Sequence, residues 1–315
     1  MGKKVIIVIA VLSAIVQRVH AQWDVQFTDF TNLRAYYNPA VSGTDGLLDV
    51  SIAYSMQMMG YDGAPKTMYA GANMPVYFFG PRHGAGLSLF SDEIGIFKTS
   101  KLALQYAYNA KLGQKGRIAI GLQGAMMNET INPGNMILSD GSSGDPAFPT
   151  STAEGSAVDL AAGLYYYSPK LWVGLSAIHL TAPTVNIGDK NQIDISRTYY
   201  FMSGGNIKIK NTLLSLQPAV MVQTDFQSWR EDIQCKAFYE YDSRTLYAGV
   251  GYSPGISVTA MIGGIFHGIQ LGYSYQMYTQ GVGVDHGTHE IVLNYKTNLD
   301  LFKKGKNLHK SARFL

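Results

Sequence analysis

From residue 47 onward, large apolar side chains alternate with small or polar ones, and a period of two confines such a chain to β-strands. Residues 101–109 show it most plainly. Leu102, Leu104, Tyr106 and Tyr108 share one face, while Lys101, Ala103, Gln105, Ala107 and Asn109 share the other. Ile118, Ile120 and Leu122 repeat the scheme against Arg117, Ala119, Gly121 and Gln123. So do Ile269, Leu271, Tyr273, Tyr275 and Met277 against Gln270, Gly272, Ser274 and Gln276, and Ile291, Leu293 and Tyr295 against Glu290 and Asn294. The second face decides what kind of sheet this is. A soluble sandwich turns its polar face to water and fills it with Lys, Glu and Thr, yet here Gly, Ala, Ser and Gln dominate. Charged residues are 15% of the chain, against roughly 25% in an average globular protein. These features imply an all-β fold turned inside out, a transmembrane outer-membrane β-barrel with its apolar face in lipid and tyrosines gathered at the interfaces.

The alternating windows number about fourteen antiparallel strands, at 47–57, 65–76, 83–91, 99–110, 115–127, 156–168, 170–179, 197–208, 211–222, 234–242, 244–252, 256–263, 267–278 and 287–296. Each is close to the length of a tilted membrane strand. Connections after even-numbered strands are short (111–114, 168–169, 206–211, 242–243), and several after odd-numbered strands are long (128–155, 179–196, 223–233). That asymmetry implies tight turns and both termini in the periplasm and long loops outside. Pro218, in the ninth window, stands against the scheme because proline removes a ladder hydrogen bond.

The ends read differently. Residues 1–21 carry Lys3 and Lys4, an apolar run from Val5 to Val16 and a small-residue exit at Ala21, the three parts of a secretory signal peptide. Twelve apolar residues are too few to span a bilayer. The expected organisation is a signal peptide at 1–21, an N-terminal periplasmic lead-in at 22–46, the barrel at 47–296 and a basic periplasmic tail at 297–315. Losing Lys3, Lys4 and Arg18 brings the 25 basic residues level with the 22 acidic ones, so nothing points to nucleic acid. The tail holds Lys303, Lys304, Lys306, Lys310 and Arg313. It reads either as a solvated end or as a contact for an acidic periplasmic partner or the cell wall. The lone Cys235 reads as a small apolar side chain.

Chemistry is poorly represented. His286 and His289 lie beside Asp285 and Glu290, but three residues apart in a strand they face opposite ways and cannot share a metal. The run from Ser139 to Asp145 has the composition of a calcium loop without its order or closing glutamate. The glycines at 249–255 and 281–283 lack the strand-to-helix context of a phosphate cradle. Asn128-Glu129-Thr130 is a glycosylation sequon by pattern only. No catalytic residue, metal or cofactor is expected. Lys101, Arg117, Asp159, Lys236, Glu240 and Glu290 fall on the lumen face, where isolated charges are costly, so pairing across the barrel is expected.

Two stretches are more specific. Asn38-Pro39-Ala40-Val41-Ser42-Gly43 precedes the first strand, and Tyr61-Asp62-Gly63-Ala64-Pro65 joins the first two. Asn38-Pro39 is a turn former where the chain enters the barrel, and Gly63-Ala64-Pro65 closes a tight loop. With Ser91-Asp92-Glu93-Ile94-Gly95, Tyr106-Ala107-Tyr108, the run from Gly163 to Tyr167, that from Trp172 to Ser176, and His179-Leu180, the chain resembles the PorP/SprF family over most of its length. It departs at Met56-Gln57-Met58, where members commonly carry a tryptophan. The resemblance implies a non-enzymatic outer-membrane barrel of the type IX secretion and gliding machinery. Such a barrel anchors or helps export a secreted surface protein of adhesin type, holding its C-terminal domain, with periplasmic ring and lipoprotein components as neighbours. It marks Asn38, Pro39, Gly43, Tyr61, Gly63, Ala64, Pro65, Asp92 and Gly95 as structural motif residues and supplies no active site. A passive porin-like solute channel is the alternative, and an enzyme of the barrel rim is a third reading for which the sequence offers no preferred residues.

Overall fold

The computed structural model describes residues 24–77, 83–135, 149, 151–188, 191–242, 244–281 and 286–298. The strands are β1 (Leu48–Met56), β2 (Lys66–Val76), β3 (His83–Ile94), β4 (Phe97–Leu112), β5 (Gly116–Ile131), β6 (Ala153–Tyr167), β7 (Leu171–Ile178), β8 (Thr184–Ile187) and β9 (Asn191–Asp194). They continue with β10 (Thr198–Gly205), β11 (Ile207–Lys208), β12 (Leu214–Thr224), β13 (Trp229–Tyr241), β14 (Arg244–Ser253), β15 (Ser257–Phe266), β16 (Ile269–Tyr278) and β17 (Thr288–Thr297). All except β8, β9 and β11 form one antiparallel circuit of fourteen. β1 pairs with β17, Leu48 opposite Thr297, and β10 bridges β7 and β12, so the wall has no free edge. Closure matters in lipid, where no water satisfies an open edge.

The alternation decides which face looks where. Along β4, Leu104 is 65% exposed and its neighbour Gln105 7%. Outward positions such as Leu122, Val158, Val250 and Ile262 form the lipid belt. Tyr77, Tyr239, Tyr241 and Tyr295 are exposed near the short turns, and Phe226, Trp229 and Tyr252 near the long loops, as two girdles. Tyrosine serves the inside as well: Tyr69, Tyr165, Tyr200 and Tyr247 are buried and point inward. Cys235 lies on the outward face. Pro218 stays in register with Cys235 of β13, but on its other side it falls between the segments paired with β10 and β11, where the ladder is already interrupted.

Two features correct the reading from sequence. Residues 24–46, expected as a periplasmic lead-in, lie inside the barrel as a plug. Phe27, Phe30, Leu33 and Tyr37 are buried against Ala53, Tyr69, Met202 and Met221 of the wall. The plug starts at the long-loop end, where Asp24 touches His179 just past β7, and leaves at the short-turn end, where Asp45 reaches Lys296 near the end of β17. The first described residue therefore sits at the end opposite to that of β17's last residue. The second feature is the hairpin β8–β9 within the 179–196 loop. Val185 and Ile187 are fully buried with Ile131, Ile193 and Ile195 over the tops of β5 and β6. Gly155 accommodates this cap: a Cβ there would stand 2.1 Å from the Asn186 carbonyl oxygen.

Candidate functional site

The plug meets the wall through the motif that precedes β1. Asn38 is fully buried; its Oδ1 accepts from the Ala40 amide at 2.9 Å, capping the helical turn Pro39–Val41. Its Nδ2 donates to the carbonyl oxygens of Leu164 in β6 and Leu175 in β7, both at 3.1 Å. One side chain thus ties the plug's turn to two adjacent strands. The wall opposite carries no side chains that would push it away. An added Cβ at Gly163 would stand 2.0 Å from Asn38 Oδ1, at Gly121 2.2 Å from the Ala40 nitrogen, and at Gly84 2.0 Å from the Ser42 oxygen. Gly43, at φ +72°, turns the chain beside Gly84 and donates its amide to Asn73 at 2.9 Å. Ser42 Oγ donates to Gln105 Oε1 at 2.7 Å. The small lumen face noted in the sequence is thus the seat of the plug.

The rest of the plug is held by charge and hydrogen bonds. Lys236 of β13, 1% exposed, donates to both carboxylate oxygens of Asp29, at 2.5 and 2.6 Å. Glu290 of β17 accepts the backbone amides of Thr28 at 2.7 Å and Asp29 at 2.9 Å. Asn32 accepts from Gln270 at 3.0 Å through its side chain and from Asn294 at 3.0 Å through its carbonyl. Arg34 Nη1 donates to the Tyr165 hydroxyl at 2.7 Å. At the short-turn end Lys296 contacts Asp45 and lies 3.4 Å from Asp49.

At the long-loop end the clamp is an imidazole between two carboxylates. His179 Nε2 is 3.0 Å from Asp24 and Nδ1 2.8 Å from Asp159, with the ring 2% exposed and the backbone at φ +55°. Burial opposes protonation, but Asp24 and Asp159 outweigh it and raise His179 to about 9. Burial also disfavours the Asp24 carboxylate, and His179 together with Lys101 and Thr198 more than offsets that, holding Asp24 below the usual carboxylate value. Thr181 Oγ1 donates to Asp159 at 3.0 Å, fixing the wall side of the clamp.

The lumen charges therefore pair differently from expectation. Lys236 and Glu290 find partners on the plug, not across the barrel, and Asp159 reaches it through His179. Lys101 sits over the rings of Tyr36 and Phe90, at 5.7 and 5.4 Å. Arg117 and Glu240 are exposed at the short-turn ends of their strands.

The second motif lies at the long-loop rim and joins two connections. The Gly95 amide donates to the Gly63 carbonyl at 2.9 Å, both residues have positive φ, and a Cβ on Gly63 would stand 3.0 Å from Gly95 Cα. Thr67 Oγ1 donates to Asp92 at 2.6 Å across β2 and β3. Tyr61 packs edge-on against His286, 4.8 Å between centroids, and the Ala64 amide donates to the Tyr61 carbonyl at 3.2 Å. Pro65 leads into β2, its carbonyl accepting from Gln57 at 3.0 Å. Asn38, Pro39 and Gly43 are thus brought together in the lumen and Tyr61, Gly63, Ala64, Pro65, Asp92 and Gly95 at the rim, as separate clusters. Lys303, Lys304, Lys306, Lys310 and Arg313, the 139–145 run and the signal peptide lie outside the described residues.

Two cavities flank the plug. One of about 280 Å³ opens at the short-turn end beside Arg34, Asp45, Trp172 and Lys296. The other, about 470 Å³, lies at the long-loop end between the plug, the tops of β3–β5 and the β9 flank.

A closed barrel with an aliphatic outer belt and a lumen filled by its own N-terminal segment defines a plugged outer-membrane β-barrel. The chain belongs to the type IX secretion system membrane protein PorP/SprF family, whose profile matches residues 19–295. It is similar to the solved structure of a Pseudomonas aeruginosa FadL homologue, with TM-score 0.49 and 11% identity over 83% of this chain and 93% of that one. It is also similar to the CymD monoaromatic hydrocarbon channel, with TM-score 0.48 and 11% identity over 89% and 95% of the two chains. For the Pseudomonas putida toluene transporter TodX the TM-score is 0.47 and the identity 10%, over 88% and 95%. No curated protein matches this chain.

Proposed function

We propose that this protein is a non-enzymatic anchor of the type IX secretion machinery that holds a secreted surface protein at the long-loop end and couples to periplasmic components at the other. Membership of the PorP/SprF family supports the secretion role. The observation that carries the anchoring reading is the plug. A passive pore needs a water-filled lumen, whereas here Asp29, Lys236, Glu290 and the Asn38–Gly43 turn fill it with buried, mutually satisfied contacts. Binding at the rim does not require the lumen to open. The long loops are assigned to the cell exterior because outer-membrane barrels place short turns in the periplasm, and the basic tail is assigned to periplasmic partners on the same ground.

Affinity purification of the tagged barrel from its native membrane tests this. Recovery of a secreted surface protein or of periplasmic ring or lipoprotein components is the expected result. Steady ion conductance in planar bilayers without such recovery would favour the porin-like channel. Removing the residues after Thr297 is expected to weaken periplasmic recovery and spare barrel assembly.

A further inference from the structure

The wall is closed through the lipid belt, but four of its strands rise above the belt and end in an open side. Across β3, β4, β5 and β6 the register row Leu89, Leu102, Met126 and Val158 is apolar and exposed. The next outward row toward the long loops is Ser91, Ser100, Asn128 and Ser156, and the one after it Glu93, Lys98, Thr130 and Glu154. The outer face turns from apolar to polar within one row, which puts the two upper rows in water beyond the lipid.

β6 is the last strand of this blade. It pairs with β5 over its whole length, Ala153 opposite Ile131, but with β7 only from Ala162 opposite Ala177 to Tyr167 opposite Trp172. The chain after β7 does not continue the ladder. It gives the Leu180 amide to the Leu160 carbonyl at 2.9 Å and Thr181 Oγ1 to the Val158 carbonyl at 3.3 Å, then turns away at Ala182, φ +43°, into β8. Those two contacts show that the even-numbered residues of β6 aim their backbone groups at this side. Among the described residues, the amides of Glu154, Ser156 and Val158 and the carbonyls of Glu154 and Ser156 meet no backbone partner there. All three residues are exposed. The hairpin β8–β9 lies on the inner face of the blade, against Ala153 and Ala157, and leaves the edge open. An open edge is a template for another strand, and proteins that avoid such pairing blunt it with lysine, proline or a bulge. Residues 153–159 hold neither lysine nor proline and pair with β5 without a bulge.

We propose that an extended segment of the secreted protein adds to β6 as a strand along 153–159, continuing the ladder where β7 leaves it. The proposal rests on the anchoring reading and supplies its mode of recognition. Donors and acceptors repeating every second residue match an extended backbone and not a helix, whose amides and carbonyls are bonded within it. The open stretch is about 20 Å long at roughly 3.3 Å per residue, the length of an ordinary strand. A second copy of this chain does not fit it. Two barrels inserted the same way in one membrane have β6 strands running in the same sense, so they cannot build the antiparallel ladder that continues this sheet.

The amides of Glu154, Ser156 and Val158 read the proposal directly. In the isolated full-length barrel in detergent they are expected to exchange near the free-chain rate, and in the complex purified from native membrane about a hundredfold more slowly. S156P removes one edge donor and spares the β5 ladder, which uses the odd-numbered residues. It is expected to cut recovery of the secreted protein about tenfold, while S156A changes it little and both variants keep the heat-dependent gel migration of wild type. Should S156P fail to fold, exchange in the wild-type complex still decides. Protection already present in the isolated barrel would mean that the chain's own loops occupy the edge. Protection that appears only when differently tagged copies purify together would mean that a second copy does. Either result overturns the proposal, as would three unprotected amides in the complex or equal recovery by folded S156P and S156A. In each case, a wild type that still recovers the secreted protein leaves anchoring standing. If wild type recovers none, anchoring itself falls, and strand addition with it.

Discussion

The two halves of the plug are held by different physics. From Asn38 to Gly43 the chain lies against wall glycines so closely that a single methyl group on Gly84, Gly121 or Gly163 has no room. From Asp24 to Asn32 it is held by ion pairs and hydrogen bonds to Lys236, Glu290 and His179. Close approach to glycine sets the first half apart, whereas the second adds buried charged contacts to the packing of Phe27 and Phe30. Contacts of shape are insensitive to pH and salt, whereas a charged clamp responds to both, so the half at the long-loop end is the half that conditions or a partner can loosen.

The largest effect is expected at Lys236. Lys236→Met leaves the Asp29 carboxylate buried with its strongest partner gone, a loss of about 3–5 kcal/mol for a broken buried pair. Hydrogen exchange of the Thr28 and Asp29 amides measures it, and their protection should fall by several orders of magnitude while that of Ala40 holds. Adding Asp29→Leu should restore much of the protection, because two apolar groups replace two charges. Equal loss at Ala40 would mean the halves are one cooperative unit.

The His179 clamp predicts a pH window. His179 is raised from its ordinary 6.5 to about 9, so its contribution is complete below about 6.5 and is lost as pH rises through about 9. Asp24 is lowered from 3.8, so its contribution is present above that value and is lost as pH falls through its depressed one. Protection of the amides near Asp24, corrected for intrinsic exchange, should therefore be flat from about pH 4 to 6.5 and decline above, by roughly 3 kcal/mol in all for a shift of this size. A His179→Phe variant should abolish the alkaline decline; persistence of the decline would place the titrating group elsewhere.

Shape is probed by Gly121→Ala. The new Cβ would meet the backbone of Ala40, which has no rotamer to yield, and overpacking of this kind costs about 1–3 kcal/mol. Exchange at Ala40 and Ser42 should rise and Thr28 should change little, the reverse of the Lys236 pattern. If the methyl group is tolerated without any change in exchange, the wall glycines are not what seats the plug.

How much of this the sequence discloses follows from which constraints repeat. The strands were legible because lipid on one side and lumen on the other impose the same alternation fourteen times, and Leu104 beside Gln105 reads the same in any window. The hairpin β8–β9 carries the same signal in Val185 and Ile187 and in Ile193 and Ile195, but four-residue strands inside a loop give too short a run to separate from irregular chain. The plug has no period of its own, since it is built from helical turns of three or four residues. Its signals were indirect. Phe27, Phe30, Leu33 and Tyr37 are more apolar surface than a solvated lead-in needs, and Lys236, Glu290 and Asp159 are lumen charges that demand partners. Glycine on the lumen face was visible, but what it made room for was not, because the contact joins residues far apart in the chain, Asn38 and Gly163 among them.

The smallest effect is expected at Lys296, and it bears most directly on the division into halves. Lys296 joins Asp45 and Asp49 where the plug leaves the lumen, so it is a charged contact in the half assigned to shape. Its side chain is 34% exposed, as is that of Asp45, and pairs this accessible to water contribute about 0–1 kcal/mol. Lys296→Ala should therefore shift exchange of Gly43 and Thr44 by no more than a fewfold, and raised salt should reproduce the shift in wild type. A loss as large as that at Lys236 would mean that both ends of the plug are held by charge, with the glycine seat only permitting contacts that Lys296 and Asp45 enforce.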